Sequence, residues 1–443
     1  MMNTIAIRRE TKDNTQRRAP LAPEHVRELV TTRGLRVLVQ PWTQRVFSDK
    51  EYEDAGATLT DDLSAANIIF GVKEIAPDLF LDGKAYVFFS HTVKGQRYNM
   101  PMLQAILDRN ATLFDYELVR NREGKRLIFF GKYAGYAGMI DSFWALGKRL
   151  MWESIPSPFS SVRYATRYDN LPEVRDHFTE IGRTIDQEGI DRRLVPFICG
   201  FTGYGQVSRG AQQVFDLLPN QEIDAADLPA FIERGVFSDR KLYKVQFRKP
   251  DMFRHRESGK LFDPGEFKDH PDRYRSIFLR SLPFLTMLVN GIYWEPAFPR
   301  LITKRGIKRL YDRGEHRLRV IGDITCDVEG SIELTVKTTD VENPVFVYEP
   351  AGGTVIDGWE GDGPVILAVD KLPTEMPREA STAFGDTLAP FVPELAAVDY
   401  REPASRLALP FEFQMALIAH RGQLAPSQKH LKQYLKSAER SPG

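Results

Sequence analysis

Short apolar runs bounded by polar residues recur along the first 120 residues, with helical spacing between them. Residues 4–7, 35–40, 67–72 (NIIFGV), 85–90 (AYVFFS) and 112–116 have the length and composition of buried strands. Residues 20–32, 49–55 and 100–109 read as helices, with Pro20 and Pro23 near a start, where proline is tolerated. This alternation predicts a parallel α/β sheet. Residues 131–151 open with glycines and run into a long helix from about 137, Gly135 and Gly138 being suited to close helix packing. Residues 154–170, with two prolines and several serines, read as a linker, and 171–188 as a helix. An apolar strand over 195–201 then turns through Gly203-Tyr204-Gly205 into a helix from Val207. Further strands are expected at 242–247, 285–290, 317–324, 333–338, 345–348 and 365–369, with an irregular excursion over 251–274. Residues 372–383 turn into a helix, and 410–435 form a long helical pattern broken near 424–426.

Two features of this pattern carry chemistry. Strand, glycine turn and helix in that order form the first unit of a dinucleotide-binding fold. Gly203 permits the sharp turn, Gly205 lets a pyrophosphate approach the backbone, and the helix start offers free N–H groups and a positive dipole end. Ser208 occupies the third glycine position, with Gly210 two residues on, so an ordinary strand-to-helix turn is the competing reading. The second feature is Lys73 after NIIFGV and His91 after AYVFFS. Open parallel sheets bind ligands outside the carboxyl ends of their strands. The competing reading is a solvated lysine and a satisfied loop histidine.

Composition narrows the class. A length of 443 residues implies two domains. Lys+Arg and Asp+Glu both number 60, which gives no electrostatic reason to expect nucleic acid or an anionic membrane as partner. Cys199 and Cys326, far apart and outside any CxxC pair, exclude a disulfide scaffold and a cysteine zinc site; no metal is expected. The early strand leaves no room for a targeting peptide, and no run reaches about 18 apolar residues, so a cytoplasmic protein is expected.

Nine stretches resemble one family: RRAPLAPEHV (17–26), GVKE (71–74), YVFFSHTVKGQ (86–96), LFDYELV (113–119), FGKYAGYAGMID (130–141), FTGYGQVSRGAQQVF (201–215), MLVNGIYWEPAFPRL (287–301), IGDITCDVEGSIE (321–333) and VDKLPTEMPREAS (369–381). They are similar to the lysine–2-oxoglutarate reductase domain, the saccharopine-forming half of bifunctional lysine-degradation enzymes. More distantly they resemble lysine-forming saccharopine dehydrogenases and the alanine dehydrogenase/transhydrogenase superfamily. The resemblance implies two Rossmann-like α/β domains with parallel sheets and an interdomain cleft. The first would be discontinuous, with residues 1–155 completed by 345–443 and a dinucleotide-binding domain over 156–344.

The implied activity is an NAD(P)-dependent oxidoreductase that condenses lysine with 2-oxoglutarate and reduces the imine to saccharopine. Lys73 and His91 match the family's acid–base pair. Arg18 matches its carboxylate-binding arginine, with Arg126 and Lys94 as further substrate candidates; arginine forks suit carboxylates. Gly203, Tyr204, Gly205, Gln206, Val207 and Ser208 would hold the cofactor, with Asp327 and Asp370 near nicotinamide, ribose or substrate amine. Tyr204 and Gln206 depart from the usual small residue and asparagine. Glu222 and Asp224 would suit the ribose of NAD; Arg234, Arg240 or Lys241 could receive the 2′-phosphate of NADP. The resemblance favours NADP without excluding NAD. A related enzyme with another amine or keto acid, or a non-catalytic ligand-binding relative, are the alternatives. Oligomeric state is left open, a homo-oligomer included.

Overall fold

The apolar runs of the first 120 residues pair into one sheet. In the computed structural model, which describes residues 3–12 and 15–438, the chain divides into two compact units, residues 1–130 with 377–443 and residues 131–376. The first unit's sheet runs in the order Thr58–Leu59, Arg36–Val39, Thr4–Ile7, Ile68–Phe70, Ala85–Phe88, Thr112–Asp115, Leu417–His420, Gln423–Leu424. The first six strands are parallel and the last two antiparallel. Every residue of Thr4–Ile7, Ile68–Phe70, Ala85–Phe88 and Thr112–Asp115 is buried, as a sheet covered on both faces requires.

The expected long helix over 410–435 is replaced by a one-turn helix, Phe411–Gln414, then the two antiparallel strands, then the helix Lys432–Ala438. A short apolar run such as Ala416–Ala419 does not distinguish strand from buried helix by its periodicity, and here the open edge of Thr112–Asp115 supplies hydrogen-bond partners.

The second unit's sheet runs Thr354–Asp357, Val345–Glu349, Val365–Leu367, Val320–Asp323, Met287–Asn290, Ile198–Thr202, Leu242–Phe247, Asn220–Glu222. The last six are parallel; the first two form an antiparallel edge. Residues 333–338 do not form the expected strand. Single bridges at Ile332 and Thr339 flank them, and the Thr335 hydroxyl donates to Asp323 instead.

The unit boundaries differ from those expected at 155 and 345. The helix Gly131–Trp152 packs on the helix Gln206–Phe215. A Cβ on Gly135 would lie 2.1 Å from the Val207 carbonyl oxygen, and one on Gly210 would lie 2.2 Å from that of Lys132. Strands Val345–Glu349 and Val365–Leu367 are members of the second sheet, so that unit extends to residue 376. No helix among the described residues is long and apolar enough to cross a membrane.

Besides Asp323, the second unit encloses two neighbouring carboxyl groups, Asp141 and Glu375. Asp141 accepts the Ala165 N–H at 2.7 Å, and Glu375 accepts the Tyr164 hydroxyl at 2.8 Å. Burial first, then the proximity of Glu375, pushes Asp141 well above the usual carboxyl range. The folded state therefore keeps a proton that the unfolded chain releases above about pH 4. Stability from this proton is complete below that pH and is lost as pH rises through the folded-state value. Asp141→Asn is accordingly expected to be less sensitive to rising pH than wild type, read as urea midpoints across a pH series; parallel curves would contradict this.

Candidate active site

In the first unit, charged groups gather where the parallel strands end. Glu10, three residues past Thr4–Ile7, is buried and accepts the backbone N–H groups of Val72 and Lys73, both at 2.8 Å. It also pairs with Arg8 at 4.0 Å. The turn that carries Lys73 is thereby pinned, and the Lys73 side chain is half-buried. Next to it, Glu74 bridges Lys12 and His91, with Nζ and Nδ1 each 2.7 Å from Oε1. Burial opposes ionisation of Glu74, but the hydrogen bonds from His91 and Lys12 outweigh it and hold the carboxyl down at about 2.

His91 has φ +50°, a conformation that costs about 1–3 kcal/mol and persists where surroundings impose it. Two clamps do so. Asn99 Nδ2 donates to the His91 carbonyl at 3.3 Å. The preceding Ser90 gives both its N–H and its hydroxyl to Asp115 Oδ2. Burial, despite these bonds, raises Asp115 to about 6.

An aromatic platform joins the imidazole to two guanidiniums. The Phe89 ring lies 6.1 Å from that of His91 with planes 11° apart, and 6.0 Å from Phe130. Arg18, only 4% exposed, lies 4.2 Å above Phe130 and donates from Nε to Gln16 at 2.9 Å. Arg126 lies 5.5 Å from Phe89, donates to the Ile128 carbonyl and sits 3.8 Å from Glu117. Lys73, His91, Arg18 and Arg126 thus come from four separate stretches to one end of one sheet. Lys94 is exposed on the turn after His91.

In the second unit, Gly203 has φ +82° and its N–H bonds the Phe247 carbonyl. Gly205 precedes the ten-residue helix Gln206–Phe215, and a Cβ placed on it meets nothing within 4 Å. That open approach to free helix N–H groups fits a pyrophosphate. Tyr204 is exposed; Gln206 and Val207 are half-buried. Ser208 is buried and accepts from Gln212 at 3.1 Å, while Gly210 provides the close helix packing that the third glycine of the motif normally gives. Beneath the turn, Asn290 accepts from Thr202 at 2.6 Å and donates to Asp323 at 2.9 Å, tying three neighbouring strand ends together. Asp327 is exposed beyond Val320–Asp323, and Asp370 is exposed beyond the neighbouring strand Val365–Leu367.

The residues expected to choose between NAD and NADP are not beside the turn. The strand after the glycine helix, Asn220–Glu222, is at the sheet edge, and Leu242–Phe247 is the direct neighbour of Ile198–Thr202. Glu222 is level with Lys244 and 3.6 Å from its Nζ, whereas Thr202 is level with Phe247. Glu222 and Asp224 therefore lie a strand too far out. Arg240 and Lys241 precede Leu242–Phe247 at its opposite end, and Arg234 closes the helix Leu228–Arg234. Arg248 and Lys249 follow Phe247 directly.

Sequence reasoning passed over Glu10, Glu74, Asp115, Phe89, Phe130 and Arg248 as site residues. A carboxylate at or just past each strand end was the available signal for three of them. Among the described residues, no group of three or more His, Cys, Asp or Glu is arranged to hold a metal ion.

Parallel strands ending in charged groups in one unit, and in a glycine turn before a helix in the other, define a Rossmann-like α/β architecture. The fold is similar to that of an L-alanine dehydrogenase, with a TM-score of 0.59, 16% identity, and coverage of 98% of this chain and 99% of that one. Residues 6–137 match the alanine dehydrogenase/PNT N-terminal domain. Along 98% of its length the chain is 36% identical to alpha-aminoadipic semialdehyde synthase of Arabidopsis thaliana, of which it covers 42%. It is 26% identical to a saccharopine dehydrogenase [NAD(+), L-lysine-forming] of Yarrowia lipolytica, covering 89% of this chain and 93% of that protein. The chain spans less than half the length of the synthases it matches.

Proposed function

We propose that this protein is an NADPH-dependent oxidoreductase that joins the ε-amine of lysine to the keto carbon of 2-oxoglutarate and reduces the product to saccharopine. The observation that carries the reading is the Glu74–His91 pair beside Lys73, with Arg18 stacked on the same aromatic platform. The amine adds to the ketone and the carbinolamine loses water to give an imine; a nicotinamide, when bound, would supply the hydride.

Lys73 takes the proton that the attacking amine sheds. His91 protonates the departing hydroxyl. Glu74, bonded to Nδ1, fixes the ring so that Nε2 is the exchanging nitrogen. Arg18 offers a planar fork for a substrate carboxylate, with Arg126 and Lys94 for the others. Asp327 and Asp370 would meet the nicotinamide ribose or the substrate amine. A cytoplasmic setting belongs to this reading, supported by two unpaired cysteines.

NADP is preferred because Arg248 and Lys249 follow the strand beside the glycine turn, the position that reads the ribose in such folds. Arg248→Ala is expected to weaken NADPH binding at least tenfold, measured by fluorescence titration, and to leave NADH binding unchanged. Equal losses for both cofactors would contradict the assignment. Substrate identity is tested with a panel of amines at fixed 2-oxoglutarate and of keto acids at fixed lysine. Lysine with 2-oxoglutarate should give the highest kcat/KM; a better pair would replace the substrates but keep the residue roles.

A further inference from the structure

The second unit contains a cavity of about 310 Å3 away from the glycine turn, lined by Arg149, Arg317, Arg319, Tyr311, Glu153 and Asp362 among others. Arg317 and Arg319 immediately precede the strand Val320–Asp323, and the lining residue Gly363 precedes Val365–Leu367. The cavity is therefore at the amino ends of the parallel strands, whereas Gly203 follows the carboxyl end of Ile198–Thr202.

Its charges do not balance. Three guanidiniums face two carboxylates. Glu153 is shared, with Oε1 2.7 Å from Arg149 Nε and Oε2 2.8 Å from Arg319 Nε. Asp362 is exposed at the rim. Arg317 donates from Nη2 only to the backbone carbonyls of Val195 and Pro196, at 3.0 and 3.3 Å, and among the described residues no ion pair neutralises it. Its Nε is buried without a hydrogen-bond partner. Burial and the adjacent Arg319 both disfavour this charge. A buried charged donor left unpaired is costly, so such groups are ordinarily matched by an acceptor. Tyr311, stacked on His316 at 3.7 Å with planes 4° apart, forms a flat wall.

We propose that this cavity is a binding site for a compact oxyanion-bearing molecule, a phosphate or a small dicarboxylate, held by the Arg317 guanidinium with Arg149 and Arg319 beside it. The volume is at the small end of ligand pockets and suits a small acid rather than a dinucleotide. The arrangement is independent of the reaction assigned above, so either reading can fail alone.

Calorimetric titration of the full chain with inorganic phosphate, and separately with succinate, tests the site at ionic strength held constant with KCl. Saturable one-to-one binding is expected for at least one probe, and the one that binds distinguishes phosphate from carboxylate chemistry. Arg317→Gln should weaken that binding at least tenfold, whereas Asp362→Asn, which removes an exposed negative charge, should tighten it severalfold. The proposal is overturned if wild type shows no saturable binding into the tens of millimolar, or if Arg317→Gln binds as wild type does. Phosphate competed away by NADPH would place the ion at the glycine turn and equally overturn it. Should Arg317→Gln not fold, an Asp362→Asn affinity equal to wild type decides against the site.

Discussion

His91→Gln is expected to lower kcat by about 10²–10⁴-fold, the usual contribution of one positioned acid–base group. The fold should survive, because His91 is partly exposed and glutamine can retain a hydrogen bond to Glu74. Lys73→Met is expected to cost a similar factor, since the backbone of Lys73, not its side chain, is what Glu10 holds. The double variant should lose far less than the product of the two, because groups serving one proton-transfer sequence are not additive. Steady-state kinetics with circular dichroism as the folding control would check this. Single variants within threefold of wild type would show that neither side chain handles protons in the slow step. Glu74→Gln separates orientation from chemistry. It should lose less activity than His91→Gln, because the imidazole stays in place and the glutamine can still accept from Nδ1.

The second large effect sets two glycines of one turn-and-helix against each other. Gly210→Ala would place a methyl 2.2 Å from the Lys132 carbonyl oxygen, a backbone atom with no flexible side chain to yield. Overpacking of this kind costs about 3 kcal/mol, and wild-type and variant urea curves would measure it. Gly205 has an ordinary extended backbone, φ −77°, and open space in front of it. Gly205→Ala should leave stability within about 0.5 kcal/mol of wild type while sharply weakening NADPH binding. Loss of stability at 205, or none at 210, would reverse the roles given to these glycines.

That contrast also marks what could be read before the structure. The letters around Gly203 and Gly205 announced a strand, turn and helix because glycine spacing and an apolar run are local signals. Which glycine packs and which stays open depends on a helix some 70 residues earlier in the chain, and Gly135 hinted at this only as a helix-packing glycine. Lys73 and His91 stood out because each follows an apolar run directly. Phe89 and Phe130 did not, since an aromatic inside a hydrophobic stretch looks like any core residue until its ring is found under a guanidinium. Glu222 and Asp224, expected beside the glycine turn, lie away from it for a topological reason. Counting 20 residues beyond the glycines assumes that the next strand pairs with the first. Here Asn220–Glu222 goes to the edge and Leu242–Phe247 takes that place, a crossover no periodicity reveals. The strand Leu417–His420 was missed similarly: its partner, Thr112–Asp115, lies some 300 residues away.

The assignment of hydride transfer to a lysine–2-oxoglutarate imine is tested most directly by following the hydrogen itself. The protein would be incubated with lysine, 2-oxoglutarate and NADPH deuterated at C4 of the nicotinamide, and the products analysed by mass spectrometry. Saccharopine carrying one deuterium on the carbon that joins the two halves, formed in step with NADP+, is the expected result. Cofactor oxidation no faster than in an amine-free control, with no deuterated saccharopine, would contradict it.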